Sequence, residues 1–295
     1  MQTTNRSSKA LKVLVLGATG NQGGAVAHCL LKNGFGVRAV ARDPAKEAAR
    51  SLADEGAEII QADLNDRSSL EAAMREVYGV YVVLPFFQEH QEREVKMGQT
   101  VIDAARAMDV QHLIYSAGSR SNERTGVPHL DSKGEIERYL RSSNVPYTIL
   151  RPVAFNYSLA AYRESILQGQ LIDPRDGNSV VYQLAEDDHA SFATMALLDP
   201  QNWLWQGFNT ASDALTIREM ATVFGRVVGR TVEHVQISWE EERQVAGDEV
   251  VRLTQWVDQD GPRINMQARH QKYPWLTSLE HYLRTHGWKN LAVKS

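Results

Sequence analysis

Three glycines carry the clearest chemical meaning in this chain. Gly17, Gly20 and Gly23 stand three apart in VLVLGATGNQGGAVA, Val13–Ala27. Val13–Leu16 is a four-residue apolar run that reads as a buried strand, and helical spacing follows from Asn21 to about Lys32, ended by Gly34. A glycine at the end of a strand lets the chain turn sharply. A second leaves no side chain where a pyrophosphate would approach, and a third lets the helix pack closely on the sheet. The free N–H groups of the helix's first turn then face the bound anion. Strand, glycines and helix in that order predict a dinucleotide cradle over Gly17, Ala18, Thr19, Gly20, Asn21, Gln22 and Gly23. The spacing is GxxGxxG, which departs from the GxGxxG fingerprint.

The end of the second strand bears on which dinucleotide. An NAD site places an acidic residue there to hold the ribose diol. This chain has VRAVARDP, with Ala41 and Arg42 in the decisive region. The planar fork of Arg42 suits a 2′-phosphate, and Lys46 adds charge nearby, so NADP(H) is favoured. Asp43, followed by Pro44, is expected to cap the next helix. Asp63 and Leu64 follow the third strand, where a side chain borders an adenine in this architecture; Asp63 either bonds the base or caps the following turn. Pro85, Phe86 and Phe87 follow the fourth strand and face the same crevice, as ligand wall or as core.

These residues need a scaffold. Strands are expected at Val13–Leu16, Val37–Ala41, Glu58–Gln61, Gly79–Leu84, His112–Ser116 and Tyr147–Leu150, with helices between them. Ser68 with Glu71, and Ser132 with Glu135, read as capping boxes. A helix is expected from about Gln88 to Met108. Six alternations in about 140 residues predict an α/β fold, a doubly wound parallel sheet of the Rossmann type. The expected organisation is a tail over residues 1–10, a dinucleotide-binding domain over 11–153 and a smaller lobe over 154–295, part of which returns to the sheet. In that lobe Thr216 with Glu219, Ser238 with Glu241 and Thr277 with Glu280 mark helix starts.

Bulk composition narrows the function classes. A net charge of −4 with no Lys/Arg-rich run argues against direct nucleic-acid binding. No apolar run reaches 18 residues and no signal-like segment opens the chain, so a cytoplasmic protein is expected, with nuclear entry open. The single cysteine, Cys29, reads as core. His189, after Glu186-Asp187-Asp188, lacks a metal-ligand spacing, so no metal is expected.

GATGNQGGAVA, VRAVARDP, EVKMGQTVIDAA and HLDSKGEIERYLRSSNVPYTILRPVAFNY resemble the NmrA-like family, atypical members of the short-chain dehydrogenase/reductase superfamily. Within it the chain is most similar to the NADPH-sensor proteins. The resemblance spans roughly Val13–Val228. It implies a Rossmann domain holding NADP(H). It implies that Arg42 and Lys46 meet the adenosine phosphate, that Lys96 lies near the cofactor, that Lys133 contacts the nicotinamide ribose, and that Val153–Asn156, Phe155 included, flank the nicotinamide. Independently, Lys133 is placed near a helix start after the fifth strand's loop, and Val153–Asn156 leave the sixth strand directly.

One departure matters most. A typical member carries Tyr-x-x-x-Lys with a serine about a dozen residues earlier; the tyrosine moves a proton, the lysine lowers its pKa and the serine orients the substrate. Here Ser116 and Lys133 are present, but His129 stands in the tyrosine position, in HLDSK. Ser116, His129 and Lys133 are the candidate catalytic residues. An intact cradle beside a missing tyrosine leads the sequence reading towards an NADP(H) sensor or regulator with little or no dehydrogenase activity. In that reading a regulatory protein is the partner and the loop Ser119–His129 is a moving part. The alternative is an NADPH-dependent oxidoreductase acting on a small quinone or enone-like substrate. A homodimer is compatible with either.

Overall fold

The computed structural model describes residues 11–85 and 91–288. The tail expected over residues 1–10, the pair Phe86–Phe87 and the helix start expected at Gln88 lie outside the described residues. Strands and helices alternate as β1 (Lys12–Val15), α1 (Asn21–Lys32), β2 (Gly36–Val40), α2 (Glu47–Asp54), β3 (Glu58–Ile60), α3 (Arg67–Ala73), β4 (Gly79–Val82), α4 (Gln91–Ala107), β5 (His112–Ser116), α5 (Pro128–Ser142) and β6 (Tyr147–Pro152). There follow β7 (Ala154–Phe155), a 3-10 helix (Asn156–Tyr162), α6 (Arg163–Leu167), β8 (Gln170–Asp173), β9 (Val180–Leu184), α7 (Glu186–Leu198) and α8 (Pro200–Trp203). The chain ends through β10 (Gln206–Thr210), β11 (Asp213–Thr216), α9 (Ile217–Val228), β12 (Glu233–Gln236), α10 (Trp239–Ala246), α11 (Asp248–Asp260), α12 (Met266–Lys272) and α13 (Leu279–Thr285).

The main sheet has the order β10-β6-β5-β4-β1-β2-β3. β1 pairs in parallel with both β2 and β4, so the winding reverses beside β1. A doubly wound sheet opens its ligand crevice at the carboxyl end of such a reversal, and the Gly17 turn leaves β1 there. β4 (GVYV) and β5 (HLIYS) are buried along their whole lengths, as strands covered on both faces must be. β10 is the part of the later chain that returns to this sheet. Two smaller sheets, β11-β9-β7 and β12-β8, are built from the later residues.

The chain divides into two compact units. The first holds the residues up to Ser116, Glu135–Leu150 and Ala190–Phe208. Within it, Gly98 on α4 meets Ile136 on α5 so closely that a Cβ at position 98 would lie 2.8 Å from the Ile136 side chain. The second holds Ala117–Gly134, Arg151–His189 and the residues from Asn209 onward. One of its apolar clusters gathers Ile166, Leu171, Ile217, Phe224, Leu279, Leu283 and Trp288.

Local starts differ from the sequence reading in informative ways. Asp43 forms a side-chain turn, accepting from the Ala45 N–H, and α2 begins later, at Glu47. The α3 cap is Asp66, whose carboxylate accepts from the Ser68 N–H; Glu71 instead pairs with Arg67. α5 begins at Pro128, one turn before the expected Ser132. Pro128 is pre-set for a first helical position, and the Asp131 carboxylate reaches back to the N–H groups of Thr125 and Gly126. Both expected boxes at Thr216–Glu219 and Ser238–Glu241 form. The last helix is capped by Ser278, one residue beyond the expected Thr277.

Candidate functional site

In the first unit, the glycine turn has the geometry of an anion cradle. Gly17 has φ +69°, and a Cβ there would sit 2.6 Å from Val83. A Cβ on Gly23 would collide with the Gly17 carbonyl, so the start of α1 packs directly on the turn. Gly20 is the cap residue of α1, and no side chain bonds the helix's first N–H groups there. No acidic residue occupies the first turn. An uncapped helix start without acidic side chains leaves its partial positive charge for an anion. Gly17, Thr19, Gly20 and Asn21 are exposed, and Ala18 is buried beneath them. One link was not visible in the sequence: the Ser116 hydroxyl, at the end of β5, donates to Gln22 Oε1 at 3.0 Å. Ser116 therefore supports the turn itself.

The cationic pair lies beyond β2. Arg42 and Lys46 are both exposed, and neither forms an ion pair among the described residues. The Arg42 carbonyl accepts from Gln61, which fixes the backbone while leaving the guanidinium to point elsewhere. Asp63 accepts from both the backbone and the side-chain N–H of Asn65, and these bonds hold its carboxyl below the usual range. These bonds close the turn after β3, and Leu64 beside Asp63 is half-buried. Pro85 and Lys96 are exposed, the latter on α4.

In the second unit, the early start of α5 changes the status of two residues. His129 and Lys133 stand one turn apart on the same helix, four residues apart and therefore on one face. Lys133 is 7 % exposed. Gly118 makes room for it: a Cβ at position 118 would lie 2.9 Å from Leu130 and 3.3 Å from the Lys133 Cδ. The sequence signal for Gly118 is a glycine two residues past the end of β5. Burial, aided by the Lys133 charge, pushes the His129 pKa down to about 3. At neutral pH its imidazole is uncharged.

The loop between β5 and α5 is tied at both ends. Arg120 donates to the carbonyls of Asp260 and Gly261, pairs with Glu123 at 2.5 Å and lies over the Trp256 ring. Asp131 holds Thr125 and Gly126. Past β6, Val153 and Phe155 belong to a small apolar cluster with Leu184 and Ala211, and Phe155 meets His189 edge-on at 5.3 Å. Asn156 is 2 % exposed. His189 bonds Thr210 and is fully buried, with its pKa pushed down to about 3 by desolvation. Among the described residues no group of three or more His, Cys, Asp or Glu could hold a metal, and no helix is long and apolar enough to cross a membrane.

Comparison with known proteins gives this geometry a lineage. The model of the NmrA-like family matches residues 9–265. The NmrA-like family domain-containing oxidoreductase hkm9 of Aspergillus hancockii is 32% identical over 256 residues, covering 77% of this chain and 76% of that protein. Two solved structures share the fold. The Escherichia coli NADPH-dependent quinone oxidoreductase QOR2, complexed with NADPH, superposes with a TM-score of 0.79 at 20% identity, covering 94% of this chain and 99% of the other. NmrA, a negative transcriptional regulator solved in complex with NADP, superposes with a TM-score of 0.77 at 20% identity, covering 94% and 95%.

Proposed function

This chain belongs to the NmrA-like family, and from that premise we propose that it is an NADP(H)-dependent oxidoreductase that passes hydride to a small quinone or enone. The observation that carries this reading is the cradle: a left-handed Gly17, a Gly23 that admits no Cβ and an α1 start that no side chain caps. Those features fit a pyrophosphate. The oxidoreductase hkm9 is more similar in sequence than the regulator NmrA, which moves the weight from the sensor reading to the catalytic one.

When bound, NADPH supplies the hydride. The chain's own residues then divide the work. Gly17–Gly23 hold the pyrophosphate through backbone N–H groups. Arg42 and Lys46 meet the 2′-phosphate, with Asp63, Leu64 and Pro85 along the adenosine side and Lys96 near the cofactor. Lys133 anchors the nicotinamide ribose, and Val153, Phe155 and Asn156 flank the ring. Ser116 keeps Gln22 in place. His129 is neutral at pH 7 and no tyrosine stands in its place, so the chain offers no phenol–lysine proton donor. Quinones and enones suit such a site, because water completes their protonation after hydride addition.

The test is NADPH oxidation by purified full-length protein against quinones, enones and aldehydes. Saturable turnover of a quinone or enone supports the reading. Tight NADPH binding with no turnover on any of the three classes overturns it. That second outcome favours the regulator, a reading that the missing tyrosine itself motivates.

A further inference from the structure

The exposed cations Arg42 and Lys46 ride on a backbone that is tied down on both sides. Val40 stands opposite Ile60 in the parallel register of β2 and β3. Ala41 is buried, and its N–H donates to the Ile60 carbonyl at 2.9 Å, which carries the pairing one residue past β2. Gln61, the residue after β3, then reaches further with its side chain: Nε2 donates to the Arg42 carbonyl at 3.0 Å. An exposed glutamine thus fixes the backbone at the first exposed residue beyond β2.

Asp43 secures the other side. Its carboxylate accepts from the Ala45 N–H at 2.9 Å and its carbonyl accepts from the Lys46 N–H at 3.3 Å. These two bonds fold the chain back within four residues. Pro44, between them, has a fixed φ and keeps Asp43 out of the helical region. The turn delivers Lys46 to the cap position of α2, where its side chain makes no cap bond. An ammonium has no acceptor to offer a helix start, and its charge opposes the macrodipole there. Glu47, in the first turn, answers that dipole; Lys46 does nothing for the helix.

We propose that Gln61 and Asp43 are positioning residues that set the preference for NADP(H) over NAD(H): Gln61 holds the backbone of Arg42, and Asp43 closes the turn that returns Lys46 towards it, so that one 2′-phosphate meets both cations. This rests on the cofactor assignment above and uses residues of the first unit alone. A loose segment would have to be ordered as the phosphate arrives, at a cost in conformational entropy. A segment already tied has met that cost in folding. The gain goes to the cofactor that carries the 2′-phosphate and not to the one that lacks it. Asp43 itself brings a negative charge close to a phosphate, so its service there is the shape of the turn rather than its charge.

The test is calorimetric titration of full-length protein with NADPH and with NADH. The proteins are wild type, Gln61→Met, Arg42→Ala, the double variant Gln61→Met with Arg42→Ala, Asp43→Asn and Asp43→Ala. Gln61→Met keeps the length of the side chain and removes its donor. It should weaken NADPH about fivefold and leave NADH unchanged. In the Arg42→Ala background it should cost nothing more, because the bond acts through Arg42. Asp43→Asn keeps the acceptor for the Ala45 N–H and drops the charge; Asp43→Ala drops both. Asp43→Asn should therefore bind NADPH at least as tightly as wild type, and Asp43→Ala about threefold more weakly than Asp43→Asn. Equal losses for the two cofactors overturn the inference and make both residues general supports of the fold. So does a Gln61→Met loss that persists in full without Arg42. A loss of NADPH in Arg42→Ala with none in Gln61→Met or Asp43→Ala also overturns it, and leaves the cofactor assignment standing. Wild type that binds neither cofactor removes that assignment and the inference with it.

Discussion

The turn at Gly17–Gly23 and the first two turns of α5 meet water in opposite ways. In the first, Gly17, Thr19, Gly20 and Asn21 are exposed and the helix start carries no cap. Its binding capacity lies in backbone N–H groups, which work only while the glycines keep the turn open. In the second, Lys133 is buried, Gly118 makes room for its stem, and burial keeps His129 neutral. Its capacity lies in side chains, and burial sets the charge state of His129. The comparison teaches that binding and chemistry can vary independently in one fold. The cradle depends on backbone geometry at Gly17 and Gly23, whereas on α5 burial fixes the charge state of His129.

The largest expected effect falls on the backbone region. Gly23→Ala drives a methyl into the Gly17 carbonyl, and calorimetry should find NADPH affinity lowered at least a hundredfold, about 2.7 kcal/mol. Gly20→Ala is the sharper control, since its Cβ would lie 3.4 Å from the nearest atom. It should fold with nearly wild-type Tm and still bind NADPH more weakly. Equal affinity in both variants would break the claim that the backbone does the binding.

The next effect concerns buried histidines in both units. His112, in the first, bonds Thr148 and has its pKa lowered to about 4; His189, in the second, is lowered to about 3. An unfolded histidine titrates near pH 6.5, so both folded values lie below the unfolded one. Their contribution is present in full above pH 6.5 and is lost as pH falls towards 4 and 3. At pH 5 each histidine should cost about 2 kcal/mol relative to pH 7.5. Urea unfolding at the two pH values checks this, and His112→Phe should flatten part of the dependence.

A smaller effect separates the cofactors. Arg42→Ala should weaken NADPH roughly tenfold, about 1.4 kcal/mol, and leave NADH unchanged. Equal losses for both would move Arg42 away from the 2′-phosphate. The smallest effect belongs to His129. With its pKa near 3, it does not titrate between pH 5.5 and 8, and His129→Gln should change kcat less than about threefold, far below a lost general acid. A bell-shaped profile abolished by that substitution would assign it proton transfer after all.

In both units, what was legible in the sequence rests on local signals. Apolar runs ending in glycine gave β1 and its turn, and the reciprocal side-chain bonds of Thr216–Glu219 and Ser238–Glu241 gave two helix starts to the residue. What escaped depends on partners distant in the chain or on competing caps. Ser132–Glu135 matched a box, yet Pro128 and Asp131 begin α5 a turn earlier, which moves His129 from an expected loop onto the helix that carries Lys133. The bond from Ser116 to Gln22 joins residues 94 apart. Gln61 sits in no motif; only the pairing of β3 with β2 gives it a setting.

The most direct trial of the account is transfer of deuterium from C4-deuterated NADPH to 1,4-naphthoquinone or 2-cyclohexenone, with the label followed by mass spectrometry. For 2-cyclohexenone the account predicts deuterium on the carbon conjugated with the carbonyl, and for the quinone it predicts stoichiometric loss of label from the cofactor. Protein that binds NADPH tightly and yet moves no label to either acceptor would contradict it.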